Sequence, residues 1–225
     1  MGTNPNGSEP TWQTSPLEVI ARIRRPAPPP DPAERCELCK EVIPEDHAHL
    51  VDIEARGLMC ACRACWFLFN HEGAGGRRYR AVPERYLSVG DFDLSPAQWD
   101  SLQIPVSIAF FFHNSSLDKV AAFYPSPAGA TESLLSLEAW TEIVADNPIL
   151  SSVAPDVEAV LMRTERDATE CFIVPIDTCY ELVGRLRQCW RGFDGGQDAR
   201  KQLVDFFDNV RAKARPAPAV GGAHG

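Results

Sequence analysis

Apolar positions along the chain switch between strand-like alternation and helix-like spacing, and each switch marks an element. His49-Leu-Val-Asp-Ile53 alternates, Ala55-Arg56-Gly57 makes a turn, and Leu58-Met59-Cys60 returns, which predicts a β-hairpin. Cys62 to Asn70 reads as a short helix, and Arg77 to Val89 as one or two short strands. Ser95-Pro96-Ala97-Gln98 opens a helix with Ser95 as N-cap, Pro96 at its first position and Gln98 closing a capping box. Trp99 and Leu102 form its apolar side, and Ile104-Pro105 ends it.

Val106 to His113 and Lys119 to Tyr124 follow as strands joined at Asn114-Ser115-Ser116. The nearly unbroken Phe110-Phe111-Phe112 is the pattern of a strand covered on both faces. Pro125 to Glu132 reads as a loop, and Leu137 to Asp146 as a helix with Leu137, Trp140, Ile143 and Val144 on one face, stopped by Asn147-Pro148. Val157 to Met162 and Cys171 to Ile176 make a second hairpin around Arg166-Asp167. Thr178-x-x-Glu181 reads as a capping box opening a helix that presents Cys179, Leu182, Val183, Leu186 and Trp190. After a turn over Gly192 to Gly196, a last helix presents Leu203, Phe206, Phe207 and Val210.

From residue 95 the order is αββαββαα. Hairpins with intervening helices predict an α+β fold, a two-layer α/β sandwich with antiparallel hairpins, rather than a doubly wound sheet. No repeat of fixed period is present. Ahead of it, residues 1–15 are polar and rich in Gly, Ser and Pro, and Pro16 to Arg25 reads as a short helix with Leu17, Ile20 and Ile23 on one side. Arg25 to Pro32 carries five prolines, the composition of a stiff linker or of a polyproline recognition motif. The expected organisation is a disordered, Pro-rich segment over 1–34, a cysteine module over 35–72, a glycine joint at Gly73-Ala-Gly-Gly76, an α+β domain over 77–213 and a disordered tail over 214–225.

Cysteine spacing adds chemistry to this pattern. Cys36-x-x-Cys39 and Cys62-x-x-Cys65 are separated by 22 residues, and Cys60 precedes the second pair, so five of the eight cysteines fall in this stretch. Paired C-x-x-C knuckles turn two sulfurs toward one ion, and two knuckles make a four-thiolate metal site. Buried reduced cysteines would need no such pairing, and a thioredoxin-like redox pair would need a βαβ unit around Cys36. Cys36, Cys39, Cys62 and Cys65 form the symmetric ligand set, with Cys60, His47 and His49 as substitutes. A knuckle, a hairpin and then a helix bearing the second pair is the order of a treble clef. A hairpin in place of that helix would make a zinc ribbon. Zn2+ is the expected ion, closed by four protein ligands in a structural role. Iron in a rubredoxin-like site, or an iron–sulfur cluster fed by Cys60, Cys62 and Cys65, is the alternative and would make the protein an electron carrier. Lys40 and Trp66 stand where rubredoxin knuckles place glycine, which ranks iron second.

At 225 residues and 44% hydrophobic, the chain holds an ordinary domain and a small one. The net charge of -9 argues against a nucleic-acid binder built on phosphate contacts. The basic cluster Arg77, Arg78 and Arg80 with Arg85 reads as a solvated strand edge. Ile104 to Phe112 is about half of the ~20 apolar residues a membrane span needs. The N-terminus has no apolar signal region, and Arg24-Arg25 is followed by prolines where an export signal would be apolar. Many cysteines without such a signal point to a reducing cytoplasm. The 18 arginines against 4 lysines, with much Ala, Gly and Pro, reflect a GC-rich bacterial genome.

Other candidates are weaker. Cys171, Cys179 and Cys189 lie on apolar faces and read as core. Ser126, Gly129 and Thr131, and Gly195 and Gly196 at the start of the last helix, are a candidate partner or anion loop without P-loop or G-x-S-x-G spacing. His113 has no carboxylate or nucleophile partner assignable from sequence, so no acid–base pair emerges.

Arg35-Cys-Glu-Leu-Cys39, Leu58-Met-Cys-Ala-Cys-Arg-Ala-Cys65, Ala122-Phe-Tyr-Pro-Ser-Pro-Ala-Gly-Ala-Thr-Glu-Ser133 and Trp190-Arg-Gly-Phe-Asp-Gly-Gly196 resemble an uncharacterised bacterial family. The resemblance covers about residues 35–213. Genes of that family tend to sit beside those for NiFe-hydrogenases and their maturation factors. The resemblance implies a context: an accessory or assembly protein whose partner is a hydrogenase subunit or maturation factor. The cysteine module is also similar to treble clefs of HNH nucleases, where a histidine follows the second pair. Here that place offers only His71, and the chain is acidic, so the nuclease is the distant reading.

Overall fold

The computed structural model describes residues 33–71, 78–133, 137–165, 168–191 and 196–218. Arg35–Gly225 forms one compact unit, and the account below is of that unit. Expectations for residues 1–32, the glycine joint 73–76, the Arg166-Asp167 turn, residues 192–195 and the end of the tail fall outside the described residues.

The predicted first hairpin is β1 (Ala48–Asp52) and β2 (Gly57–Ala61). Asp52 fastens its turn by accepting from the Ala55 N–H at 3.0 Å, and Arg56 takes the left-handed φ of 55° that closes it. The helix carrying the second cysteine pair is α1 (Arg63–Leu68). Next, β3 (Tyr79–Ala81) pairs antiparallel with β1, giving a three-stranded sheet in the order β2-β1-β3.

The larger sheet is made of β4 (Leu87–Ser88), β5 (Ile108–Asn114), β6 (Lys119–Ser126), β7 (Gly129–Ser133), β8 (Glu158–Glu165), β9 (Ala168–Pro175) and β10 (Arg215–Pro216). Its order is β10-β4-β9-β8-β5-β6-β7. Every pairing is antiparallel except β10 with β4. Arg215–Pro216, expected in the tail, is held at this edge because the Arg215 and Ala217 N–H groups donate to the Tyr86 and Ser88 carbonyls. The helices of this part are α2 (Pro96–Ser101), α3 (Leu137–Asp146), α4 (Ile176–Cys189) and α5 (Gly196–Lys213), with a 3-10 turn at Pro148–Ser152. The α+β class with antiparallel hairpins is the one observed.

Both faces of the large sheet are covered, as the Phe110–Phe112 run implies. On one face Ile108, Phe110, Leu161, Phe172 and Val174 pack against Leu182 and Leu186 of α4 and Phe206 and Phe207 of α5. On the other, Ala109, Phe111, Val160 and Met162 pack against Leu102 behind α2, Ile143 of α3 and Leu150. Adjacent residues on a strand point to opposite faces, so Phe110 and Phe111 feed different cores. Val51 and Val82 reach the first cluster from the cysteine-module side, so the two parts share apolar contacts.

Two expectations change. The loop over Pro125–Glu132 is instead a hairpin, because β6 runs on to Ser126 and β7 starts at Gly129, where φ is 119°. Thr178 is not a cap: α4 already begins at Ile176, with Pro175 as N-cap and no side-chain cap bond. The Ile176 N–H donates to the Val157 carbonyl at 2.9 Å, so the strand feeds the helix directly. The Ser95–Gln98 capping box forms as read from sequence. Among the described residues, no helix is long and apolar enough to cross a membrane.

Candidate metal centre

The first knuckle closes through short-range bonds. The Lys40 N–H donates to the Cys36 carbonyl at 2.9 Å, and the Cys36 N–H to the Glu41 carbonyl at 2.8 Å. Lys40 sits at φ 66°, a conformation that costs a non-glycine residue roughly 1 kcal/mol. Its ammonium donates to the Glu37 carbonyl at 2.8 Å, which holds the turn. Lysine therefore supplies, at the first knuckle, the backbone shape for which glycine was expected in an iron site, whereas Trp66 lies within helix α1.

Glu37 ties this knuckle to β2: its N–H donates to the Cys60 carbonyl at 2.9 Å, and its carboxylate accepts from the Cys60 N–H at 2.8 Å. The second pair rides on α1. Cys62 is its N-cap, and the Cys62 sulfur accepts from the Cys65 N–H. A buried bond from Trp66 Nε1 to the Val82 carbonyl, 2.7 Å, pins α1 to the chain beyond β3.

These elements bring Cys36, Cys39, Cys62 and Cys65 together, with ligand atoms all within 4.8 Å of one another. The Cys39 and Cys62 sulfurs are 3.6 Å apart. A tetrahedron with metal–sulfur bonds of about 2.3 Å has sulfur–sulfur edges of about 3.8 Å, so the donor set fits a four-thiolate metal ion. Cys36 and Cys65 are buried, while Cys39 is exposed at the rim.

Electrostatics support a thiolate at the inner position. Burial works against the Cys36 thiolate, but backbone N–H groups of Cys39, Cys62 and Leu38 outweigh it and bring the thiol from 9.0 down to about 6. Glu41 helps Cys39 through its N–H, yet the crowding Cys36 and Cys62 sulfurs leave its thiol raised. Burial, then the neighbouring sulfurs, push Cys65 far up. The four thiol protons cannot all leave cheaply without a cation between the sulfurs, which is the charge problem a divalent metal solves. Four thiolates leave no position for water, so the site suits structural or one-electron chemistry rather than hydrolysis.

Cys60, His47 and His49 do not join this set. They form their own group, with ligand atoms within 4.8 Å of one another. The hydroxyls expected to form an anion loop are engaged in the β6–β7 turn. Ser126 Oγ donates to the Gly129 carbonyl and accepts from the Ala128 N–H, and Thr131 Oγ1 lies 2.8 Å from it. Gly196 starts α5 at φ 77°, and Gly195 is outside the described residues. Cys171 and Cys179 are buried and their thiols raised by burial, as core cysteines should be. Cys189 lies against the Arg185 and Leu186 carbonyls. His113 meets the exposed Asp118 carboxylate at 3.3 Å across the β5–β6 turn, a pairing the linear sequence did not suggest.

Of the basic cluster, Arg78, Arg80 and Arg85 each keep part of the side chain in solvent and each faces a carboxylate, while Arg77 lies outside the described residues. Arg78 grips Asp52 at 2.9 Å, Arg80 donates to the Pro155 carbonyl at 2.9 Å and faces Asp156, and Arg85 Nε donates to buried Glu158 at 2.8 Å. Arg78 braces the small sheet internally, while Arg80 and Arg85 fasten that sheet and its exit strand to the large one. Sequence reading missed Asp177, whose carboxylate lies 2.9 Å from His49 Nδ1 although 128 residues separate them. No local signal marks such a pair.

No curated protein and no solved structure matches the chain. Residues 35–214, which take in both the cysteine module and the large sheet, match the model of a family of unknown function, and the chain is a member of that family, DUF5947.

Proposed function

We propose that this protein is a zinc-stabilised binding or assembly factor of the cytoplasm. Its cysteine module, a treble clef, is held by Zn2+, and its large α+β domain engages a protein partner. The observation that carries this reading is the convergence of four cysteine sulfurs from two knuckles at the edge of a domain without a recognisable catalytic set among the described residues. Structural zinc of this kind fixes the position of a small module against a larger body. The partner class rests on the resemblance of the Cys36, Leu58, Ala122 and Trp190 motifs to the hydrogenase-associated family: a NiFe-hydrogenase subunit or maturation factor.

Elemental analysis with an absorption spectrum, on protein made without a metal-affinity tag, tests the metal. Zinc without visible bands supports the reading. Affinity purification from the native host under hydrogen-oxidising conditions tests the partner. Recovery of neither a hydrogenase subunit nor a maturation factor counts against it.

A second reading, a one-electron carrier with iron in the same four thiolates, is favoured by the left-handed Lys40 and by the backbone N–H groups directed at Cys36. Stoichiometric iron with visible charge-transfer bands would select it over zinc.

A further inference from the structure

His47, His49 and Cys60 come together for a reason that lies in the register of the first hairpin. His49 is the cross-strand partner of Cys60, so the two side chains leave the ladder on the same face. His47 lies two residues before His49, on the same side of an alternating chain. The two imidazole centroids are 4.7 Å apart and tilted by 51°, and the ligand atoms of all three residues lie within 4.8 Å of one another. None of the three belongs to the four-cysteine group.

The ring nitrogens are arranged as metal ligands require. His47 Nδ1 lies 2.9 Å from the Pro44 carbonyl, which can only accept, so Nδ1 carries the proton and Nε2 carries the lone pair. His49 Nδ1 lies 2.9 Å from the Asp177 carboxylate, which by the same argument directs the His49 lone pair to Nε2. A carboxylate or carbonyl behind the distal nitrogen is the usual outer partner of a ligating histidine, because it fixes the tautomer and raises basicity. Both histidines line a cleft of about 720 Å3 that Arg63, Tyr86, Asp177 and Lys213 also border. Two of the three donors border this cleft, and three protein donors leave one position of a tetrahedron for water or an exogenous ligand.

We infer that His47, His49 and Cys60 form a second, open binding site for a late first-row divalent metal ion, distinct from the four-cysteine centre, with Asp177 as the positioning residue behind His49. Imidazole and thiolate donors suit Zn2+ and its neighbours, whereas Mg2+ and Ca2+ need oxygen. Because Asp177 lies in the first turn of α4 of the large domain, metal binding here would also tie the first hairpin to that helix. The site does not depend on which ion the four cysteines hold.

The test is metal titration of the full-length protein after removal of bound metal under reducing conditions, with Zn2+ for stoichiometry and Co2+ for spectra. Two equivalents are expected per chain. One should show intense four-thiolate charge transfer, and the other a weaker band from a single thiolate with nitrogen ligands. His47→Gln with His49→Gln should abolish the second equivalent and keep the four-thiolate spectrum. Asp177→Asn keeps all three donors and should weaken the second equivalent by about 10- to 100-fold while leaving the four-thiolate one unchanged. A wild-type protein that binds only the four-thiolate equivalent overturns the inference, as does unchanged affinity of the second equivalent in both variants. Loss of the four-thiolate spectrum with the mixed-donor one retained would instead strike the structural zinc reading and leave this site standing.

Discussion

In the cysteine module the buried apolar residues are Cys36, Ile43, Leu50, Ala61, Cys65 and Trp66, two of which belong to the metal-binding set. Beneath the large sheet, Phe110, Leu161, Leu182, Leu186, Phe206 and Phe207 fill one face and Phe111, Met162, Leu102 and Ile143 the other. The contrast is between a core whose cysteines could coordinate a cation and one that excludes water by area alone. A core as small as the first seldom supports folding unaided, whereas a sheet covered on both faces does. The two are joined by Val51 and Val82 in the sheet's own core and by the Arg80 and Arg85 contacts, so the module is fastened to the domain rather than strung from it.

The largest effect should come from removing the cation. Cys36→Ser, or chelation, forfeits about 10 kcal/mol of metal binding free energy from the module. Amide hydrogen exchange should then show β1, β2 and α1 unprotected, with β8 and β9 still protected. Equal loss in both regions would break the contrast. Next in size is Phe110→Ala, expected to cost about 3–5 kcal/mol in urea unfolding with bound metal unchanged, because the cavity lies in the large core.

Trp66→Phe probes the module without touching a ligand. It strips the buried Val82 carbonyl of its 2.7 Å donor and should cost about 1–3 kcal/mol, read as lower module protection at full metal content. The smallest effect is electrostatic and belongs to the sheet domain. Arg211 donates to both Glu170 oxygens, at 2.7 and 2.8 Å, and these hydrogen bonds hold the Glu170 carboxyl below its ordinary 4.5. A depressed carboxyl stabilises the fold above pH 4.5, and the contribution is lost as pH falls through the lower folded value. Both side chains are partly exposed, so the loss is about 0–1 kcal/mol. Arg211→Gln should remove that acid-limb slope in a pH series of urea midpoints.

Local information determined much of this protein. Alternation located the first hairpin, the Ser95–Gln98 box located α2, and the Asn147-Pro148 stop set the end of α3. The spacing of Cys36, Cys39, Cys62 and Cys65 was enough to anticipate that they meet, because a knuckle and a helix turn each hold two cysteines three residues apart. Tertiary structure decided the rest. Whether Pro125–Glu132 is a loop depends on a partner for β7, and β6 supplies it. Whether Thr178 caps a helix depends on how β9 enters α4. Which carboxylates Arg80 and Arg85 meet depends on Asp156 and Glu158, more than 70 residues away. Cys60, His47 and His49 read in one dimension as substitutes in a single site. Strand register turns them to their own group, and Asp177 reaches His49 only because the folded chain brings α4 beside the hairpin. Local periodicity and spacing are properties of a few consecutive residues, whereas pairing register and ion partners are set by packing between segments distant in the chain.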